Sequence, residues 1–297
     1  MKRYIIIALV FMLALPVFAN AYGEEQLKIV CTSFPCYDFA RAVSGGKAEI
    51  SMLIKPGSEV HSFEPAPSDM LAIAQADLFV YIGGESDAWV EDILSSFGSD
   101  APKTLRLFDC VEGKADHHGH DHKYDEHIWT SPVNAGAMVE AVCAVICEAD
   151  TENADFYRAN ALAYMDEIGK IDTEIRSVVE NARTTELVFA DRFPFLYFAE
   201  EYGIAYIAAF ASCAAESEPS AKTIAMLIDK VVSDDIPVIY VLELSNEKIA
   251  RTISEESGAA IRTFHSIQNV SETEFAGGES YVSLMKKNID VLKEGIS

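Results

Sequence analysis

Along the chain, short apolar runs rich in Ile, Val, Leu and Tyr alternate with segments whose apolar residues recur every three to four positions. That alternation predicts strands separated by amphipathic helices, the pattern of α/β units around a mainly parallel sheet. Strands are expected at 27–33, 48–56, 78–84 and 104–110, with helices at 35–45, 67–77 and 87–97, and a further helix starts near Pro132. From 153 to 183 there is no proline and one glycine, Gly169, while Phe156, Ala159, Leu162, Ala163, Met165, Ile168, Ile171, Ile175 and Val178 keep helical spacing. A helix of about 30 residues reaches roughly 45 Å, longer than one small lobe is wide. The segment is too short for a sustained heptad pairing, so its expected job is to join two lobes. The second half repeats the first in kind, with strands at 186–191, 204–210, 238–245 and 260–266 and a last helix from about 280 to 293.

The expected fold is therefore α/β: two lobes, each with a mainly parallel sheet flanked by helices, joined by one long helix. The boundaries are an N-terminal α/β lobe at 27–150, a linking helix at 151–183 and a C-terminal α/β lobe at 184–297. Ligands of open α/β sheets bind beyond the carboxyl ends of the strands. The residues just after each strand, facing a cleft between lobes, are thus where chemistry is expected.

The first 21 residues read as a secretory signal peptide: Lys2 and Arg3, an apolar run from Tyr4 to about Phe18, then the small residues Ala19 and Ala21. Cleavage is expected after Ala19 or Ala21. The run is shorter than the ~20 apolar residues that span a bilayer, and no cysteine follows it closely enough for lipid attachment. A soluble exported protein, periplasmic or otherwise extracytoplasmic, is expected.

Half of the 297 residues are apolar, which excludes intrinsic disorder. Lys and Arg total 23 against 47 Asp and Glu, a formal charge of -24. Such a chain repels a nucleic-acid backbone or an anionic membrane and favours a cation. The six cysteines, Cys31, Cys36, Cys110, Cys143, Cys147 and Cys213, include no C-x-x-C pair, so a cysteine zinc site is not expected. Export makes one or more disulfides an expectation, with the pairing left open. Cys143 and Cys147, four apart on a helix, are expected to pack as small hydrophobes.

The seven histidines carry the candidate chemistry. His61 sits in the loop after the second strand, stiffened by Pro56, Gly57 and Pro65. His117, His118, His120 and His122 alternate with Asp116 and Asp121 at 116–122, an auxiliary metal-capturing loop in which imidazole suits zinc, copper or nickel. His127 stands just before the helix that starts near Pro132, and His265 near the end of the strand at 260–266.

The stretch His-Ser-Phe-Glu-Pro at 61–65 and the pattern Asp-x-His-x-Trp-x-x-Pro at 125–132 resemble the first and second ligand motifs of the metal-specific solute-binding proteins of ABC importers, of the zinc and manganese uptake type. The acidic His-rich insertion before the second motif is similar to that of the zinc-uptake members, and Glu-Ser-Glu-Pro-Ser at 216–220 is similar to another family stretch. The resemblance spans nearly the whole mature chain. It implies a non-catalytic receptor that carries Zn(II) as its transported ligand to a cognate ABC permease; no nucleic-acid partner is expected, and a monomer is. One position departs: Arg192 stands where the family usually has its third ligand, often His, and an always-protonated guanidinium cannot bind a cation.

A fourth position in such proteins lies after a late strand and is commonly Asp; by that resemblance His265, at the end of the corresponding strand here, is the expected third ligand beside His61 and His127, a three-imidazole set open at a fourth position. Glu216 is the carboxylate candidate, either as ligand or as a group holding a histidine or Arg192; Asp191 and Glu218 are candidates for the same supporting role. Two other readings compete, an exported zinc hydrolase and a receptor-like adhesin with an altered site. Against the hydrolase, the chain has no H-E-x-x-H and no G-x-S-x-G.

Overall fold

The computed structural model describes residues 26–111, 125–210 and 218–297, which form two four-stranded sheets with helices on their faces. In the first lobe β1 (Leu27–Cys31), β2 (Ala48–Met52), β3 (Leu78–Tyr81) and β4 (Lys103–Arg106) pair in the order β2-β1-β3-β4, all parallel. In the second, β5 (Glu186–Phe189), β6 (Ala205–Ala208), β7 (Val238–Val241) and β8 (Ala260–Thr263) repeat that order as β6-β5-β7-β8, again all parallel. Parallel neighbours need crossovers. The helices α1 (Phe34–Ser44), α2 (Pro67–Ala74) and α3 (Trp89–Phe97) serve the first lobe; α6 (Leu196–Tyr202), α7 (Ala221–Ser233) and α8 (Lys248–Ser257) serve the second.

Between the lobes run α4 (Pro132–Ala149) and α5 (Ala154–Glu180); α9 (Glu272–Ala276) and α10 (Tyr281–Ile296) follow the last strand. The expected two-lobe α/β arrangement with a long connecting helix is what the chain adopts. Helix α4 is long and apolar enough to cross a membrane by length and composition, yet it packs against α1 and α5 and buries Met138, Val139, Val142 and Ile146 completely. Its apolar character is that of a core helix.

Each strand stops short of its apolar run. Leu53 and Ile54 after β2, Ile82 after β3 and Phe264 after β8 leave the strand yet stay buried, and so anchor the loops that leave the carboxyl ends. The run expected as a strand at 104–110 becomes β4 followed by a 3-10 turn at Leu107–Cys110.

One hydrophobic core crosses from lobe to lobe, with Phe39, Trp129, Tyr157, Phe189, Tyr240 and Tyr281 in a single cluster. Hydrogen bonds reinforce the seam: Trp129 Nε1 donates to Ser266 O at 2.8 Å, Tyr281 Oη to Trp129 O at 2.9 Å, and Tyr197 Oη to Asp125 O at 2.9 Å. Asp38, 1% exposed, accepts from the Tyr281 backbone at 2.8 Å.

The five described cysteines are free thiols, so the expectation of a disulfide finds no bridge among them. Cys31, Cys36 and Cys110 lie on separate elements, and Cys143 and Cys147 share one face of α4. Cys213 falls outside the described residues, as do the leader at 1–21, the His-rich loop at 116–122 and Glu216.

Candidate functional site

The sheets share one strand order, so each has its switch point between the first and third of its strands, and the loops from these carboxyl ends face one another across a cleft. The cleft encloses about 250 Å³, below the roughly 300–1,000 Å³ usual for organic ligands. His61 and His127 line it from the first lobe; Asp191, Arg192, Glu218 and Glu243 line it from the second.

His61 lies on the loop after β2, which the second lobe pins. Asn269 Nδ2 donates to Lys55 O at 2.9 Å and Ser58 O at 2.8 Å, and Gly57 N donates to Val270 O at 2.7 Å. The loop after β3 supplies the partner of the ring. Asp87, 5% exposed, accepts from Ile82 N and Gly83 N at 2.8 and 3.0 Å and so folds that loop back on itself. Burial, outweighing these backbone hydrogen bonds, raises its carboxyl to about 6. Ser86 is thereby presented to His61 Nδ1 at 2.9 Å and to Glu126, whose Oε2 also accepts Ser86 N at 2.8 Å. Gly84 is required here because a Cβ would collide with the Glu126 side chain.

The Ser86 hydroxyl has one proton and gives it to Glu126. His61 Nδ1 must then donate to Ser86, which leaves the lone pair on Nε2.

His127 stands at a 3-10 turn that precedes α4 and is 3% exposed. Its Nδ1 faces Asp125 Oδ1 at 3.1 Å, and the same oxygen accepts His127 N at 2.8 Å. A carboxylate on Nδ1 fixes the tautomer, again leaving the lone pair on Nε2. That Nε2 is buried with no hydrogen-bond partner among the described residues, and such an atom costs free energy until something binds it. The two imidazole rings lie 5.8 Å apart between centroids. His61, Glu126 and His127 each offer a donor atom within 4.8 Å of the others.

Burial pushes the His127 imidazolium down, but Asp125, with Glu126 and Glu243 beyond it, more than offsets this and leaves its pKa raised. Burial and the neighbouring His127 lower that of His61, against the pull of Glu126 and Glu59. Arg192 adds to the lowering. Its Nη1 lies 3.6 Å from Glu59 Oε2 in the first lobe, so the guanidinium bridges the cleft. Asp191 is held by backbone, accepting from Arg192 N at 2.8 Å and Leu242 N at 3.3 Å.

The structure does not bring His265 to this pair. Strand β8 ends at Thr263, three residues earlier than expected, and Asn288 holds the His265 backbone on both sides, at 2.7 and 2.8 Å. Its Nδ1 accepts from Ile267 N at 2.9 Å and lies 3.6 Å from Glu243 Oε2, while Nε2, 3.6 Å from Glu274 Oε1, is buried with no hydrogen-bond partner among the described residues. The carboxylate that reaches the cleft from this side is Glu243, after β7, gripped by Ser266 N at 2.7 Å and by the Ser266 hydroxyl. Neither Glu243 nor Ser86 stands in a recognisable motif; their position just after β7 and β3 is the only sequence signal. Asp125 is signalled by the Asp-x-His spacing.

The sequence matches the family described as zinc-uptake complex component A, periplasmic (ZnuA), over residues 29–295. The chain belongs to the ZnuA family. It is 30% identical over 289 residues to the high-affinity zinc uptake system protein ZnuA of Bacillus subtilis (strain 168), covering 94% of this chain and 90% of that protein. It is also 30% identical over 291 residues to the zinc-binding protein AdcA of Streptococcus pyogenes serotype M3, of which it spans 56%, about half the length. Among solved structures it is similar to the metal-dependent lipoprotein YcdH of Bacillus subtilis, with a TM-score of 0.81 at 28% identity, covering 92% of this chain and 100% of that one. The Zn(II)-bound ZnuA-like domain of Streptococcus pneumoniae AdcA superposes with a TM-score of 0.79 at 29% identity, covering 91% and 99%. In the cleft His61 and His127 stand together with Glu126, and Arg192 makes a salt link to Glu59 across it.

Proposed function

We propose that this chain is an extracytoplasmic receptor that captures Zn(II) between its lobes and delivers it to the permease of an ABC importer. The observation that carries the reading is the pair of imidazoles, His61 and His127, each held through Nδ1 so that Nε2 is left for an ion. Two neutral nitrogens with a carboxylate suit zinc, which takes N and O donors in tetrahedral sites, better than manganese, which favours oxygen. Glu243 is the second-lobe carboxylate that supplies the charge, and its influence on His127 places it within electrostatic reach. The chain acts here as a binding protein, and the small volume of the cleft supports cargo of ionic size over an organic substrate.

Ligands drawn from both lobes tie occupancy to lobe arrangement, which is how a permease distinguishes loaded from empty receptor. The test is competitive zinc titration against a chromogenic chelator with wild type, His61→Ala, His127→Ala and Glu243→Gln. One tight site that each of the three substitutions weakens supports the reading. Tight binding indifferent to both histidines would sink it.

A further inference from the structure

Helices α4 and α5 pack side by side, and an open groove along their seam shares no residue with the cleft. Cys143, Cys147, Glu140 and Met165 are among its walls. Cys143 and Cys147 lie one turn apart on α4, each 7% exposed, with their Sγ atoms 3.8 Å apart. Cys147 Sγ also donates to Ala154 O at 3.4 Å.

A regular helix keeps this pair from oxidising. Cβ atoms four residues apart on a helix stand about 5–6 Å from each other, whereas a disulfide needs about 3.5–4.5 Å. The same spacing suits a metal ion. A tetrahedral ion bonded to two thiolates at about 2.3 Å holds the sulfurs about 3.8 Å apart. Glu140 lies on the same face of α4, three residues before Cys143, and Met165 brings a thioether from α5.

We propose that Cys143 and Cys147 form a second metal site, for one tetrahedral thiophilic d10 dication such as Cd(II) or Zn(II), in the groove between α4 and α5. Binding forms two metal–sulfur bonds and breaks two S–H bonds, with both protons going to solvent and no change of oxidation state. Burial and the neighbouring Cys147 push the Cys143 thiol up to about 11. Because binding releases thiol protons, the site weakens as pH falls. The proposal does not rest on the function of the cleft.

Cd(II) is the probe, titrated into the purified mature protein while the ultraviolet thiolate-to-cadmium charge-transfer band is followed. The band is expected to reach the amplitude of two cadmium–sulfur bonds per chain, whatever share of Cd(II) the cleft takes, to vanish in Cys143→Ser/Cys147→Ser and to persist in Cys110→Ser. Cys143→Ala, which removes a single sulfur from a groove wall, keeps the fold and is expected to halve the band and weaken Cd(II) tenfold or more. Absence of the band, its persistence in the double variant, or a Cys143–Cys147 disulfide found by mass spectrometry would each overturn the proposal.

Discussion

Arg192 Nη1 and Glu59 Oε2 lie 3.6 Å apart across the cleft, joining the loop after β5 to the loop after β2. Their side chains are 33% and 50% exposed, so the pair itself contributes only about 0–1 kcal/mol. Its larger effect is on the ion: a fixed guanidinium close enough to depress His61 also repels a dication. Arg192→Gln is expected to tighten zinc by on the order of 1 kcal/mol, roughly fivefold in Kd, and Glu59→Gln to weaken it. Chelator competition at low and high salt checks both, and the gain in Arg192→Gln shrinks as salt rises.

The histidines divide sharply. His61→Ala and His127→Ala are each expected to weaken zinc 100-fold or more, about 2.7 kcal/mol. His265→Ala is expected to leave the cleft affinity within a few-fold, because His265 lies outside the group formed by His61, Glu126 and His127 and its Nδ1 accepts from Ile267 N. A His265 effect as large as that of His127 would place its ring in the cleft.

Proton competition follows the direction of each shift. His127 is raised above the usual 6.5 and His61 lowered below it, so as pH falls zinc meets a proton first at His127, already above 6.5, and only later at His61. Asp125→Asn removes the carboxylate that raises His127. Its zinc affinity is expected to drop 10–100-fold at neutral pH, and the acid-side decline in affinity to move to lower pH. Titrations from pH 5 to 8 read both effects.

Glu274 answers to acid stability instead. The His265 ring 3.6 Å away and the capping hydrogen bonds from Ser271 hold its carboxyl at about 2 against the usual 4.5. A depressed carboxylate contributes stability that is complete above the unfolded value and is lost as pH falls from about 4.5 towards about 2. Glu274→Gln is expected to flatten that part of the curve of melting temperature against pH. An unchanged acid limb would refute the assignment.

Zinc loading is expected to leave the radius of gyration from solution scattering almost unchanged. The seam is locked by Trp129 to Ser266 and by Asn269 to Lys55 and Ser58, so closure is a small rotation. A wide opening in the apo protein would contradict those contacts.

Most of the architecture was legible because strand and helix periods differ and the chain keeps each period cleanly, as in the uninterrupted helical spacing that became α5. His61 and His127 were legible from the motifs at 61–65 and 125–132. For His265, periodicity marks where an apolar run ends but not how the backbone after it is held; Asn288, 23 residues on, decides that. Glu243 escaped for the converse reason. An isolated acid after a strand looks like any solvated carboxylate until the fold sets Ser266 against it.

The shared core has a consequence for how the chain comes apart. Tyr157 from the linking helix, Tyr281 from the last helix and Trp129 from the first lobe belong to one buried cluster with Phe189 and Tyr240. Neither lobe can be excised without stripping that surface bare, so heat or denaturant should melt the protein in one cooperative step, with fluorescence and circular dichroism transitions that coincide. The lobes are then two halves of a single folding unit, and a chimera made by exchanging one of them would have to rebuild the seam before it could hold an ion.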